Sequence, residues 1–277
     1  MTGTEFKNEF ELHYDRMSNQ GAPGLEPYEI SAILTDAQNR IIKFNYQGKT
    51  NRLRKGFEQT EKRRKDISEL VEASVSPTNL SLTSISSDQS GAHRNSFFYD
   101  LPDNFWLAIE ESLLTNVLRC DIVQSVLDAS SRTVIGDTYG NRIYTRIKVL
   151  PKTHDEYMSN IDNPFVKPKD PNDKGRKATA WRLDFSKAQG AGSKRHEIVT
   201  SGSYGILQYY VRYIAKPTPI IVEDLTGYTI DGLSAQTDCV LDDSIHREIV
   251  QLAVSIALET VKDNRWQSQK IESMNVE

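Results

Sequence analysis

The chain reads as an α+β protein, a helical lobe carrying an inserted and mainly antiparallel β domain. Three observations predict it: apolar residues at helical spacing up to residue 73, two-residue alternation in segments between 97 and 222, and one further helical stripe after 242. Helices, then strands, then a helix is the order of an α+β chain; a doubly wound parallel sheet would alternate them. No internal repeat is visible.

Thr4 is placed to cap a first helix that begins at Glu5 and aligns Phe6, Phe10, Tyr14 and Met17 on one face before Gly21 stops it. Pro27 suits the first position of a second helix, whose stripe is Ile30, Ile33, Leu34, Ala37, Ile41 and Phe44. A third is predicted over 52–73. Leu53, Phe57, Thr60, Ile67, Leu70 and Val71 would share one side of it, with Glu58, Glu61, Lys62, Arg63, Lys65 and Asp66 largely on the other.

Serines crowd 74–96, where Leu80, Leu82 and Ile85 suggest a loop with one poor strand. From Phe97 the texture becomes β. Phe105, Leu107 and Ile109 alternate with Trp106, Ala108 and Glu110, and Ile143 to Val149 alternates with Tyr144, Arg146 and Lys148. Thr153-His154-Asp155-Glu156 has capping-box form and should open a short helix through Asn160, followed by a charged loop marked by Pro168, Pro171 and Gly175. Trp181 to Phe185 and His196 to Thr200 frame a hairpin. A long central strand follows, with Leu207, Tyr209, Val211 and Tyr213 on one face and Ile206, Gln208, Tyr210 and Arg212 on the other; Lys216-Pro217-Thr218-Pro219 ends the sheet before Ile220-Ile221-Val222. Asp242-Asp243-Ser244 caps the last helix, whose stripe is Ile245, Ile249, Leu252, Ala253, Ile256 and Ala257.

The resulting division is a helical lobe of 1–73 and 242–266, a β-rich domain with long loops over 74–241, and a polar tail over 267–277. The tail carries too little apolar surface to order itself in a free subunit, and Ile271, Met274 and Val276 are its candidate anchors on a partner.

Composition narrows the function. The 277 residues carry 38% hydrophobic and 26% charged side chains, with a mean hydropathy of -0.54. That polar surplus suits a chain that completes its burial against neighbouring subunits, and it suits a loop-rich monomer nearly as well. A formal net charge of -4 offers no global attraction to nucleic acid or anionic lipid. Cys120 and Cys239, both in aliphatic or strand-like contexts, are read as reduced and partly buried thiols, with neither a disulfide framework nor a zinc site. No secretory leader and no apolar run of membrane-spanning length is legible, so no membrane role is expected.

Chemistry is sparse. His13, His93, His154, His196 and His246 show no metal-ligand spacing, and His154-Asp155-Glu156 is better read as a helix start than as a site. His246 is expected on a surface or interface. Gly190-Ala191-Gly192-Ser193-Lys194 looks like a phosphate cradle, but a strand follows it where a helix would have to begin, so it reads as a hairpin tip. Ser201-Gly202-Ser203-Tyr204-Gly205 is out of phase with a nucleophile elbow. Arg63, Arg64 and Lys65 lead a basic group with Arg52, Arg54, Lys55 and Lys62, interleaved with Glu58, Glu61, Asp66 and Glu69. A solvated helix with internal pairs is the default reading, an acidic protein surface is the next, and DNA is the third. No catalytic residue, cofactor site or metal site is assigned.

Several stretches taken in order resemble the adaptor or ring proteins at the neck of short-tailed phages, especially crAss-like phages of Bacteroides. They are Glu26-Pro-Tyr-Glu-Ile-Ser-Ala-Ile-Leu-Thr-Asp-Ala-Gln to Lys43, Phe98-Tyr-Asp-Leu-Pro-Asp103, Val149-Leu-Pro-Lys-Thr-His-Asp-Glu-Tyr157, Asn163-Pro-Phe165, Trp181-Arg-Leu-Asp184, Tyr213-Ile-Ala-Lys-Pro217 and His246-Arg-Glu-Ile-Val-Gln-Leu-Ala253. The resemblance implies a non-enzymatic virion protein, a head-to-tail connector assembled in the host cytoplasm. Its partners would be the portal, neighbouring copies in a dodecameric ring, other tail or neck ring proteins, and DNA passing through the channel. The serine-rich 74–96 stretch departs from that pattern. Two rivals stand beside it. A carbohydrate-binding or fibre-like β module would expose aromatics such as Trp106, Trp181, Tyr209 and Tyr213, and a tail-associated hydrolase would need a carboxylate pair in a cleft.

Overall fold

The computed structural model describes residues 1–17, 24–46, 60–75, 96–118, 142–169, 178–185, 194–201 and 205–260. It divides into two units. One comprises Met1–Val71 with the chain from Lys216 onward, and the other is Glu72–Ala215, inserted between those two parts.

In the helical unit, α1 (Gly3–Met17) buries Phe6, Phe10 and Tyr14, as their spacing requires. Its cap is Thr2 and not Thr4. Glu5 lies three residues after Thr2, so the two form the reciprocal box: Thr2 N donates to Glu5 Oε2 at 2.8 Å and Glu5 N to Thr2 Oγ1 at 3.4 Å. Gly3 is fixed by close approach, since a Cβ there would lie 2.8 Å from the Ile221 carbonyl oxygen.

Helix α2 (Pro27–Tyr46) starts at the predicted proline. Ile30, Leu34 and Ala37 are buried, but Ile33, Ile41 and Phe44 are only half-buried, and the buried line instead includes Ser31, Thr35, Gln38, Ile42 and Asn45. The reason lies at 218–222. Ile220 N donates to Thr35 Oγ1 at 3.2 Å, Val222 N to Ser31 Oγ at 3.1 Å, and Gln38 Nε2 to the Thr218 carbonyl at 3.1 Å. This stretch of backbone is buried outside a regular strand, and polar side chains of α2 supply partners it would otherwise lack. The expected boundary at 241 groups 216–241 with the strands; the chain from Lys216 belongs instead to the helical unit, where these contacts hold 218–222 on α2.

The predicted third helix is shorter. The part over 52–59 lies outside the described residues. From Glu61, α3 (Glu61–Ile67) and a 3-10 turn (Ser68–Leu70) give way to a strand, β1 (Val71–Val75). Ser68 Oγ donates back to the Lys65 carbonyl at 2.8 Å and ends the helix, and Val71 enters the sheet instead of continuing a helical stripe. Helix α5 (Asp243–Thr260) is capped by Asp242, whose Oδ1 accepts from Ser244 N at 2.9 Å. It buries Ile245, Ile249, Val250, Ala253, Val254, Ala257 and Leu258 and packs on α1 and α2, closing the lobe; Leu252 and Ile256 of the predicted stripe are only half-buried, because the buried face is turned toward Val250, Val254 and Leu258.

The second unit is one seven-stranded sheet. Its further strands are β2 (Ser96–Asp100), β3 (Phe105–Leu118), β4 (Arg142–Pro151), β5 (Thr179–Phe185), β6 (Arg195–Val199) and β7 (Gly205–Ala215). The order is β1-β7-β3-β4-β5-β6-β2, with a parallel β4–β5 pair and antiparallel β2–β6, β3–β4, β3–β7 and β5–β6 pairs. β7 is flanked on both sides by β1 and β3, as two apolar faces suggest. The hairpin pairs Trp181 with Val199 and Asp184 with His196. The capping box also forms: Thr153 Oγ1 accepts from Glu156 N at 3.2 Å and α4 (His154–Asn160) follows.

The sheet is rolled. Four strands separate β7 from β2 in its order, a span of roughly 24 Å if flat at about 4.8 Å per step, yet the rings of Tyr209 and Tyr99 lie with centroids 4.7 Å apart. The enclosed face is lined by Leu113, Ile147, Val149, Ala180, Ile198, Val211 and Tyr213. On the outer face α4 lays Tyr157 edge-on against Trp181, over Leu183 and Val199.

Candidate functional site

The inward phase of the rolled sheet carries charge as well as hydrocarbon. Glu111 of β3, Arg182 and Asp184 of β5, His196 of β6 and Tyr209 of β7 all fall on the face of Leu113, Ala180, Ile198 and Val211. Arg182 Nη1 donates to Glu111 Oε2 at 2.8 Å, and Tyr209 Oη donates to Glu111 Oε1. His196 Nδ1 lies 2.8 Å from Tyr209 Oη and 3.3 Å from Glu111 Oε1, while its Nε2 lies 3.4 Å from Asp184 Oδ1. Arg182 Nε reaches the same Asp184 oxygen at 3.1 Å.

Burial alone would push the Glu111 carboxyl up; the hydrogen bond with His196, the Arg182 charge and the Tyr209 hydroxyl outweigh it and hold the group below the usual range. The Tyr209 phenol is driven well above its ordinary value by burial and then by Glu111, so it remains a donor. The cluster therefore ties β3, β5, β6 and β7 together at one buried point, each group engaged by another member of the set. Tyr213 makes a smaller tie. Its hydroxyl lies 2.7 Å from Glu72 Oε2 of β1, and Asn104 Nδ2 donates to the same oxygen at 2.9 Å.

The sequence reading passed over Glu111, Arg182 and His196. The signal was available: each stands in the inward phase of its strand, where a charged or imidazole side chain needs a partner across the core.

His154 Nε2 lies 2.9 Å from the Asp184 carbonyl oxygen, and Asp155 and Glu156 are exposed, so the triplet opens a helix. His246 is buried, not at the surface: its Nε2 lies 2.8 Å from the Leu241 carbonyl oxygen, its ring stands 5.1 Å from Phe6, and burial lowers its pKa. Cys239 is half-buried, with its thiol pushed up to about 11 by burial. Cys120, His93, residues 190–193 and 202–204, and the tail anchors Ile271, Met274 and Val276 lie outside the described residues. Of the aromatics a sugar-binding face would expose, Trp181, Tyr209 and Tyr213 are buried and Trp106 is half-buried.

The basic group on α3 is largely answered within its own unit. Arg63 is buried, Arg64 pairs with Glu61 at 3.1 Å, Lys62 with Glu248 at 2.5 Å and Lys65 with Asp242 at 3.7 Å. Among the described residues no group of three or more His, Cys, Asp or Glu could hold a metal ion, and no helix is long and apolar enough to cross a membrane.

The surface also exposes apolar and aromatic side chains. Tyr28 and Tyr228 pair on the helical unit, and Met158, Phe165 and Val166 stand out on the sheet unit. Such side chains anchor contacts between proteins.

Residues 1–269 match the model of the family described as phage tail ring protein 3/4. The chain is 30% identical over 261 residues to "Ring protein 4/5" of Bacteroides phage crAss001, covering 93% of this chain and 92% of that protein. It is 29% identical over 259 residues to "Ring protein 3" of the same phage, covering 93% and 95%. The chain belongs to the phage tail ring protein 3/4 family.

Proposed function

We propose that this member of the ring family is a non-enzymatic connector subunit of the virion neck. Copies of it close into a ring, dodecameric in this reading, between the portal and further tail or neck ring proteins, with the genome passing through the channel. The observation that carries the reading is the extent of the family match: residues 1–269 take in both the helical unit and the inserted sheet. The chemistry agrees. The cluster of Glu111, Arg182, His196 and Tyr209 is engaged with itself, with Glu111, His196 and Tyr209 buried, as befits a part that must hold shape.

The polar tail over 267–277 docks on a neighbour or on the portal in this reading, through Ile271, Met274 and Val276. The remaining basic surface of Arg64 and Lys65 meets acidic protein at its rim.

Electron microscopy of the full chain with and without its portal tests the reading. Rings seated on the portal are expected, with subunits alone staying monomeric or weakly associated, because a template raises the effective concentration of neighbours. A chain that never joins the portal or another neck component in purified particles would overturn the connector role. Deleting 267–277 should leave the melting temperature unchanged and weaken assembly; full assembly by the shortened chain would remove the docking role.

A further inference from the structure

Two exposed aromatic surfaces on this chain lie in local fields of opposite sign. On the helical unit the Tyr28 and Tyr228 rings hold centroids 4.8 Å apart and are 36% and 57% exposed. The backbone that presents Tyr228 is defined, with Gly227 and Gly232 at φ 81° and 84° and Ile230 and Leu233 exchanging both backbone hydrogen bonds. Glu26, Glu29, Glu223, Asp224 and Asp231 belong to the same two segments and are all exposed. Lys7 and Lys216 answer Glu223 and Asp231, leaving the surface acidic.

On the sheet unit, the turn after α4 presents Phe165, 73% exposed, beside Val166. That turn too is built. Phe165 N donates to Asn163 Oδ1 at 3.0 Å, and the Asn163 carbonyl accepts from Val166 N at 3.2 Å and Lys167 N at 2.9 Å. Lys167 and Lys169 follow, with Asp162 as the one carboxylate in 161–169.

We propose that the Tyr28–Tyr228 surface of one copy receives the Phe165–Lys169 turn of the next, so that these two faces form the repeating contact of the ring. This rests on the ring reading above. The charge pattern selects the occupant. Either surface meeting its own equivalent across a two-fold axis would set like charge against like, whereas acidic meeting basic is attractive. A contact between two different surfaces of identical chains is heterologous, the type that propagates around a ring. Fixed backbone beneath both aromatic groups limits the ordering cost of association, and rim charges orient the encounter.

The test is a cysteine pair, Tyr228→Cys with Phe165→Cys in one full-length chain, carried into assembled particles and mildly oxidised. The expected product is a ladder of disulfide-linked multimers, absent from either single variant. Particles whose rings are intact but give no ladder, or give only linkage within single chains, would overturn the contact and leave the ring reading standing. Particles in which the unaltered chain forms no ring would overturn both. A second variant, Phe165→Asp, changes an exposed side chain and should keep the parental melting temperature while losing incorporation; normal incorporation would overturn the proposal.

Discussion

Two sets of buried polar groups, the line on α2 in the helical unit and the cluster around Glu111 in the rolled sheet, work in different ways, and the difference shows what each is built to hold. On α2 the buried polar groups are neutral, Ser31, Thr35 and Gln38, and they serve the backbone of an irregular segment at 218–222. In the cluster of the rolled sheet they are ionisable and serve one another: Glu111 meets Arg182, Tyr209 and His196, and the exposed Asp184 closes the far side. A neutral hydroxyl can hold a loop that has no ladder of its own. An ion pair inside a sheet contributes little net stability, because desolvating both charges costs about as much as their attraction returns, but it penalises every register that separates them. The helical unit thus holds a shape the backbone would not keep alone, and the sheet unit holds one register of a roll.

The largest effect that would break this contrast is removal of α5. Ending the chain at Leu241 strips Ile245, Ile249, Ala253 and Ala257 from α1 and α2, and burial of each large apolar side chain is worth about 1.5 to 3 kcal/mol. The helical unit is expected to unfold, seen as lost helical circular dichroism. A retained cooperative melt of that signal would show that α5 is dispensable.

Next is Arg182→Met, which leaves Glu111 charged and buried without its cation. A loss of about 3 to 5 kcal/mol is expected in urea titration. Adding Glu111→Gln should recover part of it, and additive losses would mean that the two residues are not coupled.

Acid should act on the same cluster. Because the folded pKa of Glu111 is depressed, its contribution is present above the unfolded carboxylate value and is lost as pH falls through the lower folded one. Glu111→Gln should flatten the pH dependence of the melting temperature below about pH 4.5; an unchanged slope would assign acid sensitivity to other groups.

Thr35→Val is smaller, about 1 to 2 kcal/mol, since Ile220 N keeps its burial and loses its acceptor. Chemical denaturation of this variant beside Arg182→Met ranks neutral against ionic support directly. Last is Lys62→Ala, which removes an exposed pair with Glu248 and should shift stability by under about 1 kcal/mol in the same titration.

Much of the fold was legible because period and caps are local. Pro27, Asp242 and the Thr153–Glu156 box mark helix starts that the structure keeps, and the spacing of Phe6, Phe10, Tyr14, Ile245 and Ile249 fixes which faces are buried. Alternation likewise marked the strands of the β5–β6 hairpin and β7. Where local signals competed, they misled. Thr4 has the chemistry of a cap, but Glu5 closes the box with Thr2, and Val71 fits a helical stripe that Ser68 has already ended. Tertiary structure alone decided the rest, for a physical reason common to each case. Whether Ile220 to Val222 joins a sheet or leans on Ser31 and Thr35, whether His246 is exposed or turned under Leu241, and whether Glu111 finds Arg182 depend on groups far apart in the chain. Periodicity says which way a side chain points; only the closing of the sheet and the return of α5 determine what it meets.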